Sequence, residues 1–477
     1  MRSLTLARFL GLLLVGISSL AAAEERALDH LYSPAMEEKP RLLLDRVLTH
    51  ARNSEYDYAL TLSQSLLDEV DPMRRGAPGV YGQLLVNHGI IQSADGEYEL
   101  SLPLIENGLA LMEQRTNPFS QSLVNALMAR GLTMFAADDM EGAEDSFHRV
   151  QHIMHRHGGV YAEDQIPVID WLTKTSLKRG EPVDADRLQR FSLRVAENAY
   201  GPDSIELLPL LDRLGGYFAS RGSTIPPMVG TELRLQRDML FKLAVNMYLR
   251  SVAIIEQNYG ENDLRLVQPL RGLANARMLQ ITNRKYAEEA LERSLAIVES
   301  NPESDLSDRA QALVDLGDLY VITSDTRAGE TYLSAWHMLQ ESPETQEIAN
   351  LYFGTPLRLF PRESPMLYID RQPDNTEAGD PLFVELAYNV TTSGKVSGIR
   401  LIDKNVPNDH ARVLRHKLKT SRYRPRISEG ELLETEDLSL RQPYQVFRRF
   451  ASATTGDTGD NPAPNSDAID DVDSTDG

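Results

Sequence analysis

His148, His152 and His155 stand at i, i+4 and i+7, with His157 close behind. On a helix this spacing lines three imidazoles along one face, a donor set that a zinc or copper ion accepts. It equally describes an exposed His-rich helix. Beyond Asp145 no carboxylate stands ready to orient the rings, so neither a metal nor a cofactor is expected. A second cluster runs from Arg412 to Arg426, seven Lys or Arg with His416 and no acid. Either it is a solvated helix face and strand rim, or Arg412, Arg415, Lys419 and Arg422 contact an anionic partner. For catalysis the chain shows no G-x-S-x-G, H-E-x-x-H, G-x-G-x-x-G, Walker loop or S-x-x-K pattern, and a non-enzymatic protein is expected.

The elements that would carry these residues belong to a chain of 477 residues without cysteine, with 49 basic and 70 acidic side chains and a formal charge of −21. The missing thiols exclude disulfide frameworks, thiol catalysis and Cys-ligated metal. The charge argues against nucleic acid as a partner of the whole protein. Arg2 and Arg8, an apolar run from Phe9 to Leu20 and Ala21-Ala22-Ala23 read as a secretory signal peptide over 1–23, cleaved after Ala23. The run is short for a membrane span of about 20 residues, and an uncleaved anchor is the other reading. The mature chain is expected in the periplasm, peripheral to a membrane at most. At the other end, 450–477 forms an acidic tail; from Ala451 it holds seven aspartates and no basic or aromatic residue, a composition expected to be disordered.

Between these ends the sequence repeats. Ala59, Ser101 and Ala143 are 42 residues apart, followed by Ser63/Leu66, Ile105/Gly108 and Phe147/Val150, and preceded twelve residues earlier by Val47, Gly89 and Gly131. Gly215 continues the series two periods after Gly131; Ala274 follows it by 59, the excess of about 17 lying in Gly222 to Arg237, and Gly317 follows Ala274 by 43. A small residue on one helix lets the next approach, and bulky residues three, four or seven positions on fill the groove. One such pair cannot bury its apolar stripe, whereas stacked pairs can. Around Thr173 the small residue is lost.

Leu313-x-x-Leu316-Gly317-x-x-Tyr320, Tyr286 to Leu291 and Ser294 to Ile297, with Tyr-Gly turns at Tyr200-Gly201 and Tyr259-Gly260, resemble the 42-residue tetratricopeptide repeat of kinesin light chains. The resemblance implies an α-solenoid over 24–353, some seven units within about 40–350, with a concave surface for a peptide or protein and no chemistry of its own.

Prolines punctuate 354–381, which reads as a linker. Beyond it, Leu382 to Val390, Val396 to Ile402, a helix capped by Asn408 and ending near Thr420, and strands over Arg422 to Ile427 and Glu436 to Phe447 give a small α+β unit of order ββαββ at 382–449. Residues 381–450 carry thirteen basic and eight acidic side chains. Val390-x-x-x-Gly394-x-Val396, Tyr423-x-Pro425 and Gly430 before the last strand resemble the C-terminal domain of TonB. That resemblance implies capture of an extended receptor segment by strand addition, with an energy transducer, or an accessory of an outer-membrane transport complex, as the alternative to a scaffold. Other anionic partners in reach would be peptidoglycan, lipid headgroups or the acidic repeats of another copy. In the last strand Leu438, Leu440, Tyr444 and Val446 share the core-facing parity, while Pro443 argues for a sheet edge. Arg441 and Tyr444 are its candidate contacts.

Overall fold

Helix-forming stretches with small residues at fixed intervals fold as a succession of helix hairpins. The computed structural model describes residues 27–114, 116–225, 230–280, 284–360, 367–369 and 381–446; the expected signal peptide and the acidic tail lie outside them. These residues divide into two units, 27–355 with Ile427–Leu432, and 356–426 with 433–446.

The first unit is mainly α. Its helices are α1 (Glu38–Arg52), α2 (Tyr56–Val70), α3 (Pro78–Ala94), α4 (Tyr98–Glu113), α5 (Val124–Ala136), α6 (Met140–Gly158), α7 (Ile166–Lys178), α8 (Pro182–Tyr200), α9 (Leu208–Thr224), α10 (Thr231–Tyr259), α11 (Val267–Leu279), α12 (Arg284–Ser300), α13 (Leu306–Thr323), α14 (Ala328–Leu339) and α15 (Pro343–Phe353). Consecutive members from α1 to α14 pack as hairpins.

One rule of contact recurs. A Cβ at Gly89 would fall 2.7 Å from Ile105, one at Gly131 2.6 Å from the Phe147 ring, and one at Gly215 2.6 Å from the Tyr248 ring. Gly317 meets Tyr332 in the same way. The first helix therefore offers a hole at the small residue, and the second fills it with a residue sixteen positions on in the 42-residue frame, or fifteen at Gly317. Thr173, where the small residue is missing, keeps the geometry by another chemistry. Gln189, sixteen residues on, donates its amide to the Thr173 hydroxyl at 2.9 Å, and both are fully buried.

The extra residues between Gly215 and Tyr248 lengthen one hairpin. Helix α10 runs for 29 residues and α9 for 17, against 19 and 13 in α8 and α7. Inside the extension Gly222 meets the Phe241 ring, repeating the glycine and aromatic contact seven residues further along each arm. At its far end Leu233, Leu235 and Met239 are exposed.

A second device ties successive hairpins. Arg250 of α10 pairs with Glu197 of α8 at 2.6 Å and donates to the Pro202 carbonyl at 2.8 Å. Arg293 of α12 pairs with Glu256 of α10 at 2.6 Å and donates to the Glu261 carbonyl at 2.8 Å. Arg149 does the same with Glu113 and the Pro118 carbonyl. Each glutamate helix that ends in glycine turns there in a left-handed conformation, with φ of 92° at Gly201 and 94° at Gly260, which a β-carbon disfavours.

The second unit is a small α+β layer. Its strands are β1 (Leu357–Phe360), β2 (Leu367–Ile369), β3 (Leu382–Val390), β4 (Val396–Lys404), β5 (Arg422–Arg424) and β8 (Thr435–Val446), with α16 (Asn408–Thr420) after β4; the short strands β6 (Arg426–Ser428) and β7 (Glu431–Leu433) fall mostly in the segment Ile427–Leu432 grouped with the first unit. The main sheet has the order β2-β8-β3-β4, β1 pairs with β5, and β6 with β7. Alternate residues Leu382, Val384, Leu386, Tyr388 and Val390 of β3 turn to a core closed by Leu414 and Leu418 of α16. The stretch read as a linker thus contributes two short strands. The strand expected over Arg422–Ile427 splits in two at Pro425, and α16 starts after Pro407 without a side-chain cap from Asn408.

Candidate functional site

Helix α16 forms because Leu414 and Leu418, four residues apart, pack on the sheet while the intervening positions are polar. That register sends Arg412, Arg415, His416 and Lys419 outward, all exposed. Among the described residues the ion-pair partner of Arg412 is Asp409, one turn back, at 3.1 Å. Lys417 and Lys419 sit in the last turn, where the helix dipole favours cations. Arg422 does not join this face: its guanidinium turns back and donates to the Thr420 and Ser421 carbonyls at 3.3 and 3.0 Å, closing the helix end.

The two candidates on β8 part company by parity. Tyr444 faces α16, is 5% exposed and donates to the His410 carbonyl at 3.4 Å. Burial pushes its phenol up to about 12. Tyr444 is therefore a core residue, and a partner cannot reach its ring. Arg441 points to the other face of the sheet, with its guanidinium 3.7 Å over the Phe383 ring and 3.7 Å from Glu385. The structure thus brings Arg412, Arg415 and Lys419 together and leaves Arg441 on the opposite side.

The edge is also relocated. β8 lies between β3 and β2, which pairs in parallel with Tyr444, Gln445 and Val446. Pro443 is tolerated because this second ladder begins one residue beyond it. Among the described strands, the long outer edge of the sheet is β4, paired with β3 alone. There Leu401 and Ile402 are 41% and 53% exposed, between Arg400 and Asp403. Sequence reasoning passed over this strand, although two adjacent bulky aliphatics in a hairpin arm break the alternation a half-buried strand should keep.

The histidines of α6 are not drawn to a common point. His148 lies 3.8 Å from Glu144, the His152 ring lies 5.1 Å from Phe119, and His155 Nε2 is 2.7 Å from the Gln165 side-chain oxygen. Among the described residues no group of three or more His, Asp or Glu is placed to hold a metal ion. The frame explains His155: it stands 42 residues after Glu113 and 42 before Glu197, and its ring meets Phe191, itself 42 residues after Arg149, at 6.3 Å. A ring contact replaces the salt bridge at that joint.

No protein-family model matches the chain, and no curated protein does. Among solved structures, the crystal structure of BtubC (BKLC) from P. vanneervenii is similar over 66% of this chain and 98% of that one, at 13% identity and a TM-score of 0.26. No helix among the described residues is long and apolar enough to cross a membrane.

Proposed function

We propose that the chain is a non-enzymatic interaction scaffold of the cell envelope, exported to the periplasm, in which a tetratricopeptide-like repeat unit holds one protein and a TonB-like C-terminal unit takes up an extended segment of another. The observation that carries this reading is the β4 edge, whose backbone is paired on one side only and whose Leu401 and Ile402 stand exposed beside it. Backbone groups on such an edge bind an added strand of varied sequence, and exposed aliphatics give it apolar contacts. The basic face of α16 in the same unit favours an acidic segment, such as part of an outer-membrane receptor, or peptidoglycan. A photo-crosslinking residue at position 401, in the full chain exposed to an envelope extract, is expected to give one discrete adduct, and the same residue at 441 none. Absence of an adduct from 401 refutes the reading. Full-length chain retained in the inner membrane would favour a TonB-type transducer or transport accessory instead.

A further inference from the structure

The stretch before α1 stands outside the 42-residue frame, yet the first unit holds it at both its backbone and a side chain. Ala27–His30 forms a single 3-10 turn, and Leu31 to Met36 follows without regular structure. Asn87, on α3 and 1% exposed, addresses this stretch through its backbone. Its Oδ1 accepts from the Tyr32 N–H at 2.7 Å and its Nδ2 donates to the Tyr32 carbonyl at 2.8 Å. One side chain thus satisfies both backbone groups of one residue, as a neighbouring strand would, and it does so whatever the side chain of that residue.

The side chain is read separately. The Tyr32 hydroxyl accepts from the Ala126 N–H at 2.9 Å and donates to the Ser122 carbonyl at 2.8 Å. Those two groups stand four residues apart at the start of α5, where Leu123 supplies no side-chain cap. The phenol supplies it from another part of the chain, satisfying a helix N-terminal donor that would otherwise be unpaired. Its ring packs in the cluster formed by Val86, Ile90 and Leu123. Nothing in the repeat requires these groups: the frame positions matching Asn87 are Asp45, Ala129, Trp171 and Arg213.

We propose that the groove between α3 and α5 is a binding site for an extended segment bearing a tyrosine, and that Ala27–Met36 is its tethered occupant, displaced by a partner segment of the same chemistry. This rests on the reading of the repeats as the holder of a protein partner and gives that partner its chemistry. A tether raises the effective concentration of the resident segment to the millimolar range or so. A free segment therefore binds measurably only when the resident is weakened or when its own contacts are better.

The test uses the full chain and a fluorescent synthetic peptide of residues 27–36, followed by anisotropy. Wild type is expected to bind weakly and Tyr32→Ala at least about tenfold more tightly. Adding Asn87→Ala, or replacing the peptide's tyrosine by phenylalanine, should reverse the gain, because backbone or helix-end groups are then left unpaired. A folded Tyr32→Ala chain that binds no more tightly than wild type overturns the proposal. So does loss of the helical signal in that variant, which would make the segment a strut of the fold. The milder Tyr32→Phe gives an independent readout: amide exchange at Ala126 should accelerate while α6 to α8 stay protected, and uniform acceleration through α8 again means a strut. Failure here, with an envelope protein still captured by the repeats, refutes this groove and leaves the scaffold reading standing; failure of the crosslink at 401 leaves this result untouched.

Discussion

The Gln189 amide and the Thr173 hydroxyl hydrogen-bond at the two positions where neighbouring hairpins set Phe147 on Gly131 and Tyr248 on Gly215. The pair is a polar solution to the same steric problem, so the two residues should have to change together. Gln189→Phe alone overpacks the site and is expected to cost about 1–3 kcal/mol. With Thr173→Gly added, the ring has its hole, and the double variant should be more stable than the sum of the two changes by about 0.5–3 kcal/mol. Urea midpoints of the four chains measure this, and strict additivity would reject the sixteen-residue rule.

Gly317→Leu tests the same rule where the small residue is present. Its side chain would run into the Tyr332 ring, and a loss of about 1–3 kcal/mol is expected. A thermal midpoint equal to that of wild type would mean that α13 and α14 do not meet there.

Asp186 anchors a buried network, accepting from the Tyr217 hydroxyl at 2.8 Å and from Arg221 Nε at 3.1 Å, with side-chain exposures of 6% for Asp186 and 11% for Arg221. Asp186→Ala strands a buried guanidinium, and the expected loss is about 3–5 kcal/mol. Burial together with the Asp186 charge holds the Tyr217 phenol above its ordinary range. A loss below about 1 kcal/mol in chemical denaturation would place the pair in water, where exposed salt bridges belong.

Burial holds the His88 imidazole below its ordinary value of 6.5, and its Nδ1 has no partner among the described groups. The unfolded chain then binds the proton more tightly than the folded one. This contribution to stability is complete above 6.5 and is lost as pH falls through that value towards the lower folded-state one. Between about pH 7 and about pH 5, wild type should lose more stability than His88→Leu. Parallel pH profiles would remove His88 from the account.

What the sequence revealed and what it hid follow from the range of the interactions. The repeat was legible because Gly131 and Phe147, or Gly317 and Tyr332, lie within one hairpin, so a contact leaves a fixed spacing behind. The Tyr-Gly turns at Tyr200 and Tyr259 were legible for the same reason: each ends a helix locally, on a residue free to take positive φ. The sheet edge was not. β2 is three residues long, has prolines around it, and pairs with β8 in parallel across some 75 positions, which leaves no local pattern. Pro443 pointed to an edge, whereas the long open edge is β4. The basic cluster could be counted in the sequence, but its division between an outward helix face and an Arg422 folded onto the helix end depends on α16 stopping at Thr420. His155 carried a usable signal, since its 42-residue spacing from Glu113 marks a joint between hairpins rather than a ligand.

The lengthened hairpin of α9 and α10 sets a rule for growth. Its added contact, Gly222 with Phe241, falls seven residues outward from Gly215 and from Tyr248. At about 3.6 residues per turn, seven brings a helix nearly back to the same face. Arms of such a hairpin can therefore lengthen in steps of two turns, each step bringing a new hole and a new ring into line, while the contacts nearer the neighbouring hairpins keep their register. An insertion of two or five residues in one arm would swing the new apolar positions into water. The extension behaves as a ruler with heptad marks, and the tip around Leu233 is the place where a further module could be spliced in without disturbing the joints below.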